Sequence, residues 1–517
     1  MAVNVAKTLP ARHYERSPLI GAVFMALTLV VTVLIFVMTN SDVAESFPYF
    51  FLFPWILALA VVIIAPVVIL LYRGQFSFDD PLAFATFSYF IPAFVVGGLM
   101  LTVGWSQPYF LSFIQDADYN LPYTMVIIML GYAGLCIGYR LPVGQIAGRW
   151  IAAYLPNREP EAGSFVIPGF LLLGLGIINS ISATVLGIIG FQKLDVIGQY
   201  DGLIFVTTLF WMEASFILWF IVFKKGKLTS GSLLLIAFLV VTAVVKALLA
   251  GNRGSLLQTC IVVGLAYLLS GRRLDFKRTV WAAIILTAAV VAGMIYGTTF
   301  RNNKGSESKV GIDTYTENIV TTIGDVGSSD NMRMLEFGMS NFAERIDTVS
   351  SLAVVVSTYE QLAPYEESYG LDNNIWKDMT SFFIPRFVWS DKPVASDPRA
   401  YSDLYFNYGE NSFAITPMGD LLRNYGLPGV FLGMLFLGML MRTIYRSLIE
   451  DQPRMLWRSA VYFMLLTAVS YEAFYGAILP FLFKVGASAV VGMAMVMFFA
   501  KSIGPNSLTA RISNQSL

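Results

Sequence analysis

Apolar residues fall in long unbroken runs along this chain, separated by short polar stretches. A helix needs about 20 apolar residues to cross a hydrocarbon core. By that measure the pattern predicts twelve spans, at about 18–38, 49–71, 83–104, 122–139, 165–190, 203–223, 231–250, 254–270, 279–298, 426–441, 457–475 and 480–500. The expected fold class is therefore an all-α polytopic integral membrane protein with about 12 transmembrane helices. The first run has a basic flank (Lys7, Arg12, Arg16), as a signal peptide would. Its length, and the lack of a small-residue cleavage site, make it a retained span. Pro66, Pro92, Pro168 and Pro480 lie inside runs, where neighbouring spans can satisfy the freed carbonyls.

One stretch breaks the pattern. Residues 299–425 hold 10 Lys+Arg and 18 Asp+Glu between the ninth and tenth spans. The chain thus divides into spans one to nine (1–298), a large external loop (299–425), spans ten to twelve (426–500) and a tail (501–517). The loop opens, from Arg301 to Ser329, as a polar Gly/Ser-rich stretch that reads as mobile. From 331 to 363, Met332, Leu335, Met339, Phe342, Ile346, Val349, Leu352 and Val356 recur near helical spacing. One or two helices lying against the membrane or the bundle are expected there. Residues 376–425 mix aromatics, charges and four prolines, and read as a compact, partly re-entrant unit.

Composition narrows the class. Apolar residues make up 56% of the chain and charged ones only 13%, about half the charge of a soluble protein. A soluble enzyme, a nucleic-acid binder and a disordered scaffold are excluded. Lys and Arg concentrate in alternate short loops, which places both termini in the cytoplasm and the large loop outside. The zero net charge then resolves into a basic cytoplasmic surface and an acidic external one. Cytoplasmic segments carry 20 Lys+Arg against 8 Asp+Glu, and external ones 12 against 24.

The inventory of reactive groups is short. His13 is the only histidine and lies in the polar N-terminal tail, so imidazole bases and His-ligated metals are not expected elsewhere. Cys136 and Cys260 sit inside apolar runs, as small hydrophobes do. No metal and no cofactor is expected; the Asp116/Asp118 pair is too common a pattern to mark a metal site. Chemistry falls to Arg, Lys, Asp, Glu, Tyr and backbone groups.

Arg253, in "GNRGSLL" (251–257), joins two apolar spans, where a cation must snorkel, pair or face a polar cavity. Arg301, Arg345, Arg386, Lys392, Arg399 and Arg423 lie on the same expected face. Together they make either an anion site, which Arg forks suit, or scattered solvated cations. Asp420, Arg423 and Asn424 stand at i, i+3 and i+4 and share a helix face. They form either a local ion pair, or a general base (Asp420) with a group that positions a hydroxyl (Asn424). Tyr401, Tyr405 and Tyr408 also share a face, as an interfacial aromatic belt or a platform for sugar rings. Glu213, Lys246, Glu472 and Lys484 lie within the apolar runs, where mutual pairing or a cavity lining would explain them.

The segments "GNRGSLL" (251–257), "IPRFVWSDKP" (384–393) and "PMGDLLRNYGLPGV" (417–430) carry a resemblance to a known family. The chain resembles the bacterial oligosaccharide repeat-unit polymerases of O-antigen, capsule and exopolysaccharide synthesis. In that family a late periplasmic loop opens near an arginine and carries a Pro-Arg…Lys-Pro element. An acidic residue and Asn-x-Gly then lead into the next span. Arg253, Arg386, Lys392, Asp420 and Asn424 take those positions, although many members have Glu where this chain has Asp420.

The resemblance implies a C-type glycosyltransferase of the bacterial inner membrane. It would polymerise undecaprenyl-pyrophosphate-linked oligosaccharide repeat units without a metal, and its pathway partners would be a chain-length regulator and a flippase. Arg253, Arg386 and Arg423 would stabilise the pyrophosphate leaving group, with Arg345 and Lys392 secondary. Asp420 would act as base or position the acceptor. Two other functions fit a polytopic chain: a glycan ligase, which typically relies on a loop histidine, and a lipid-linked oligosaccharide transporter, which tends to show repeated halves.

Overall fold

The computed structural model describes residues 47–104, 109–189, 198, 200–226, 229–251, 254–272, 275–304, 312–326, 346–384, 387–390, 392, 396–409, 413 and 415–503. Among them every regular element is helical. In chain order these are α1 (Phe53–Tyr72), α2 (Pro81–Thr102), α3 (Ala117–Arg140), α4 (Pro142–Tyr154), α5 (Val166–Val185), α6 (Asp201–Thr208) and α7 (Phe210–Lys225). Then follow α8 (Ser230–Ala250), α9 (Ser255–Leu269), α10 (Phe276–Lys304), α11 (Ile312–Val326) and α12 (Thr348–Leu362). The last five are α13 (Asn374–Ser381), α14 (Pro398–Phe406), α15 (Pro417–Leu448), α16 (Leu456–Ala468) and α17 (Tyr475–Ile503).

Nine helical stretches among the described residues are long and apolar enough to cross a membrane, with α6 and α7 counting as one. The spans expected at 254–270 and 457–475 are shorter apolar helices of 15 and 13 residues, α9 and α16. The run at 18–38 lies outside the described residues.

Local chemistry explains the irregular elements. Asp80 caps α2 by accepting the N–H of Leu82 at 2.9 Å, and its other oxygen accepts the Tyr139 hydroxyl at 2.7 Å. The middle of α2, Thr86–Val96, is wound as a π-helix around Pro92. A wider turn relieves the clash that a proline ring makes with the preceding turn.

The tightest packing sets α15 along α3 and α4. Gly131, Gly134 and Gly138 stand at i, i+3 and i+7 on α3. A Cβ at Gly134 would sit 2.6 Å from the Phe431 carbonyl oxygen, and one at Gly138 would collide with that of Leu435. Gly144 and Gly148 of α4 meet Met439, Arg442 and Arg446 in the same way. Small residues at a crossing let two membrane helices gain dispersion contact along their backbones.

The late segment differs from expectation at its opening. Its opening is not wholly irregular, because α10 runs on to Lys304 and α11 follows. The Tyr315 ring meets Phe300 edge-on at 5.5 Å, and its hydroxyl donates to the Leu249 carbonyl. Tyr315 and Thr322 form a buried face that the surrounding Gly/Ser content masks. Of the helical pattern at 331–363, residues 331–345 lie outside the described residues and the rest forms α12. Its first turns lie against the bundle, one of the two placements expected. Thr348 to Val356 are buried all round, packed against α3 and α15, and Asp347 caps them through Ser350.

Candidate functional site

The late segment meets the membrane-length helices where α15 begins. Thr416 caps α15, its hydroxyl accepting the Gly419 N–H at 3.0 Å. After two turns Gly426 takes φ 65°, ψ −163°, and the helix bends there. That backbone region is essentially restricted to glycine. The stub Pro417–Tyr425 is thereby angled off the rest of α15. A second break, 469–474, separates α16 from α17. Asn373, in the left-handed region at φ 48°, turns the chain into α13, and Pro398 starts α14 behind the Asp397 cap.

These pieces converge on a buried polar network. The Arg423 side chain is 0% exposed. Its Nε donates to Asp420 Oδ1 at 3.0 Å, and Nη2 donates to Asn374 Oδ1 at 2.6 Å. Nη1 reaches the Leu371 carbonyl at 3.1 Å and Glu366 Oε1 at 2.9 Å. The guanidinium lies over the Phe474 ring at 5.6 Å. Asp420 is equally buried; Asn374 Nδ2 donates to it at 3.1 Å, and the Gly476 N–H donates to its other oxygen at 3.1 Å. Asn424 Nδ2 reaches Asn374 Oδ1 at 2.9 Å. The Tyr405 hydroxyl donates to Glu366 at 2.8 Å. Burial, reinforced by the Glu366 carboxylate, raises the Tyr405 pKa, so the phenol stays protonated and keeps donating.

The edge of this network is more open. Asp378, on α13, is half-buried. One of its oxygens accepts the Ser396 hydroxyl, which in turn accepts from Asn374 Nδ2 at 3.0 Å. The same oxygen lies 3.3 Å from where a Cβ on Gly476 would sit. Burial raises the Asp378 pKa; Ser396 opposes the rise, the Asp420 charge adds to it, and Lys392 and Lys484 oppose it. Lys392 is partly buried, and its ammonium donates to the Ile384 carbonyl at 3.1 Å.

Asp420, Arg423, Asn424 and Tyr405 are thus brought into one network. Three expectations change. Asp420 and Arg423 are not a weak surface pair, because both are sealed inside the protein. Both Asp420 oxygens accept protein N–H groups, and the Arg423 donors are committed to protein acceptors. The third concerns Tyr401 and Tyr405, which are neither an interfacial belt nor an open platform. They pack at 5.0 Å from each other, and Tyr401 is also covered by Phe474 and Phe406. Only Tyr408, past the end of α14, is exposed.

Arg399 is exposed on the first turn of α14. Arg301 lies near the end of α10, with its side chain outside the described set, and Arg253, Arg345 and Arg386 lie outside the described residues. Glu213 does not pair with Lys246 either. The Glu213 carboxylate is buried against Gly492, and the Lys246 ammonium lies 5.8 Å from the Trp211 ring centroid.

Glu366, Asn374, Asp378, Ser396 and Gly476 join the site without having been singled out in the sequence. Their only sequence signal is proximity to the Pro-Arg…Lys-Pro element, since Asn374 and Asp378 fall within 12 residues of Arg386. No group of three or more His, Cys, Asp or Glu suited to hold a metal occurs among the described residues.

Fold and site define a helical protein with membrane-length apolar helices and a buried Asp–Arg–Asn junction between a kinked helix and a late polar segment. A family described as a domain of unknown function (DUF8712) matches residues 171–450, more than half of the chain, and the chain belongs to that family. The matched stretch covers most of α5, all of α6 through α15, and every network residue except Phe474 and Gly476. No curated protein and no solved structure matches the chain.

Proposed function

We propose that this protein is a membrane glycosyltransferase that joins undecaprenyl-pyrophosphate-linked oligosaccharide repeat units into a surface polysaccharide. In this reading it sits in the bacterial inner membrane with its late segment facing the periplasm. The observation that favours it is the convergence at Asn374. The motif-bearing start of α15 (Asp420, Arg423, Asn424) and the segment leading into "IPRFVWSDKP" close there into one unit beside a broken helix. Irregular backbone at the end of a membrane helix is tolerable where it is buried in protein or lines a cavity.

In this reading Arg253 and Arg386 supply positive charge to the departing pyrophosphate, with Arg345 and Lys392 secondary. Fixed cations placed where charge develops stabilise the transition state without reorganising. Arg423 holds the site's frame and does not touch substrate. The test is elongation by the purified protein in lipid nanodiscs, supplied only with a lipid-pyrophosphate-linked repeat unit. A ladder of integral multiples is expected, and Arg253→Ala or Arg386→Ala should abolish it at unchanged protein level. A wild-type protein that is folded and yields no multiples would refute the reading.

A further inference from the structure

We infer that Asp378 is the carboxylate that takes the proton from the attacking acceptor hydroxyl, held in place by Ser396 and by the sealed Asp420–Arg423–Asn374 frame behind it. The inference rests on the glycosyl-transfer reading and assigns the base within it.

Accessibility is the first ground. A general base must come within hydrogen-bond reach of the proton it removes. Both oxygens of Asp420 accept protein N–H groups, and its side chain is 0% exposed. Asp378 is the neighbouring carboxylate that is only half-buried, and the hydrogen bond shown for it, from Ser396, falls on a single oxygen.

Connection is the second ground. Ser396 links Asp378 to Asn374, and Asn374 in turn holds Asp420, Arg423 and Asn424. This relay fixes the carboxylate against the first turn of α17 at Gly476.

Charge is the third ground. The groups facing Asp378 are Ser396, Asp420, Lys392 and Lys484. Burial, with the Asp420 charge, raises the Asp378 pKa and so makes it a stronger base than a free carboxylate, while Ser396 and the two ammonium groups favour its ionised form.

The step balances within the two substrates. The acceptor hydroxyl gives its proton to Asp378 while its oxygen forms the new bond to the donor's anomeric carbon. The bond from that carbon to the pyrophosphate oxygen breaks, and the electron pair leaves with the lipid pyrophosphate.

The test uses full-length protein in nanodiscs and the elongation assay above. Asp378→Asn should lower the single-turnover rate by about 10²-fold or more, with the melting temperature and retention of the lipid-linked donor unchanged. Ser396→Ala removes a hydrogen bond that favours the ionised form, so the acidic limb of the pH–rate profile should move to higher pH. A wild-type rate retained within threefold by a folded Asp378→Asn would overturn the assignment. So would a Ser396→Ala profile with an unmoved acidic limb, which decides the matter if the Asn variant fails to fold. Both outcomes are read against an active wild type; an inactive wild type refutes the glycosyl-transfer reading itself.

Discussion

A buried guanidinium is tolerable only when its N–H groups find acceptors, and Arg423 meets that condition by drawing on Asp420, Asn374, Leu371 and Glu366. Arg423→Ala would strand two carboxylates inside the protein. Removing one member of a buried ion pair costs about 3–5 kcal/mol, and a clear fall in the detergent melting temperature is expected. Arg423→Lys should lose nearly as much, because an ammonium cannot reproduce the planar fork. Asp420→Asn keeps the shape and leaves Arg423 paired with Glu366, so it should melt well above Arg423→Ala; equal losses would show that the Asp420 charge alone holds the frame. The spacing of Asp420, Arg423 and Asn424 was legible as a shared helix face. Asn374 was not, since nothing local marks a residue whose partners lie 46 to 50 positions away.

At the scale of elements, the helix pair α3–α15 turns on backbone approach. Gly138→Ala should disrupt the crossing, because the added methyl would collide with the Leu435 carbonyl, which cannot move without its helix. Gly174→Ala on α5 meets open space and should leave the melting temperature unchanged or slightly raised. Size-exclusion profiles of the two variants check the contrast. Gly426→Ala forces a side chain into a positive-φ conformation that costs about 1–3 kcal/mol, and it should loosen the angled stub that carries Asp420 and Arg423. The apolar runs foretold most of these helices, since a run of sufficient length in lipid has few alternatives to helix. The π-helical turn around Pro92 and the bend at Gly426 were hidden, whereas the interruption between the last two spans was expected and falls earlier, at 469–474. Each is a compromise between a chain that continues apolar and neighbours that demand a different direction.

For the whole molecule, the proposed orientation puts α4 and the termini in the cytoplasm and Tyr408 outside. In a background lacking Cys136 and Cys260, a cysteine at Tyr408 should react with a membrane-impermeant maleimide in intact spheroplasts. A cysteine at Arg149 on α4 should react only after lysis; the reverse pattern would invert the orientation. Sequence alone determined that the chain is helical and rich in membrane-length apolar segments, because hydrophobicity and length are local, additive properties. It also marked out the late polar segment and the Asp420–Arg423–Asn424 face. The tertiary structure decided how this segment packs into the bundle, that Asp420 and Arg423 are sealed and that Asp378 is only half-buried beside them. Burial and hydrogen-bond partnership depend on which distant segments meet, and no local pattern records that.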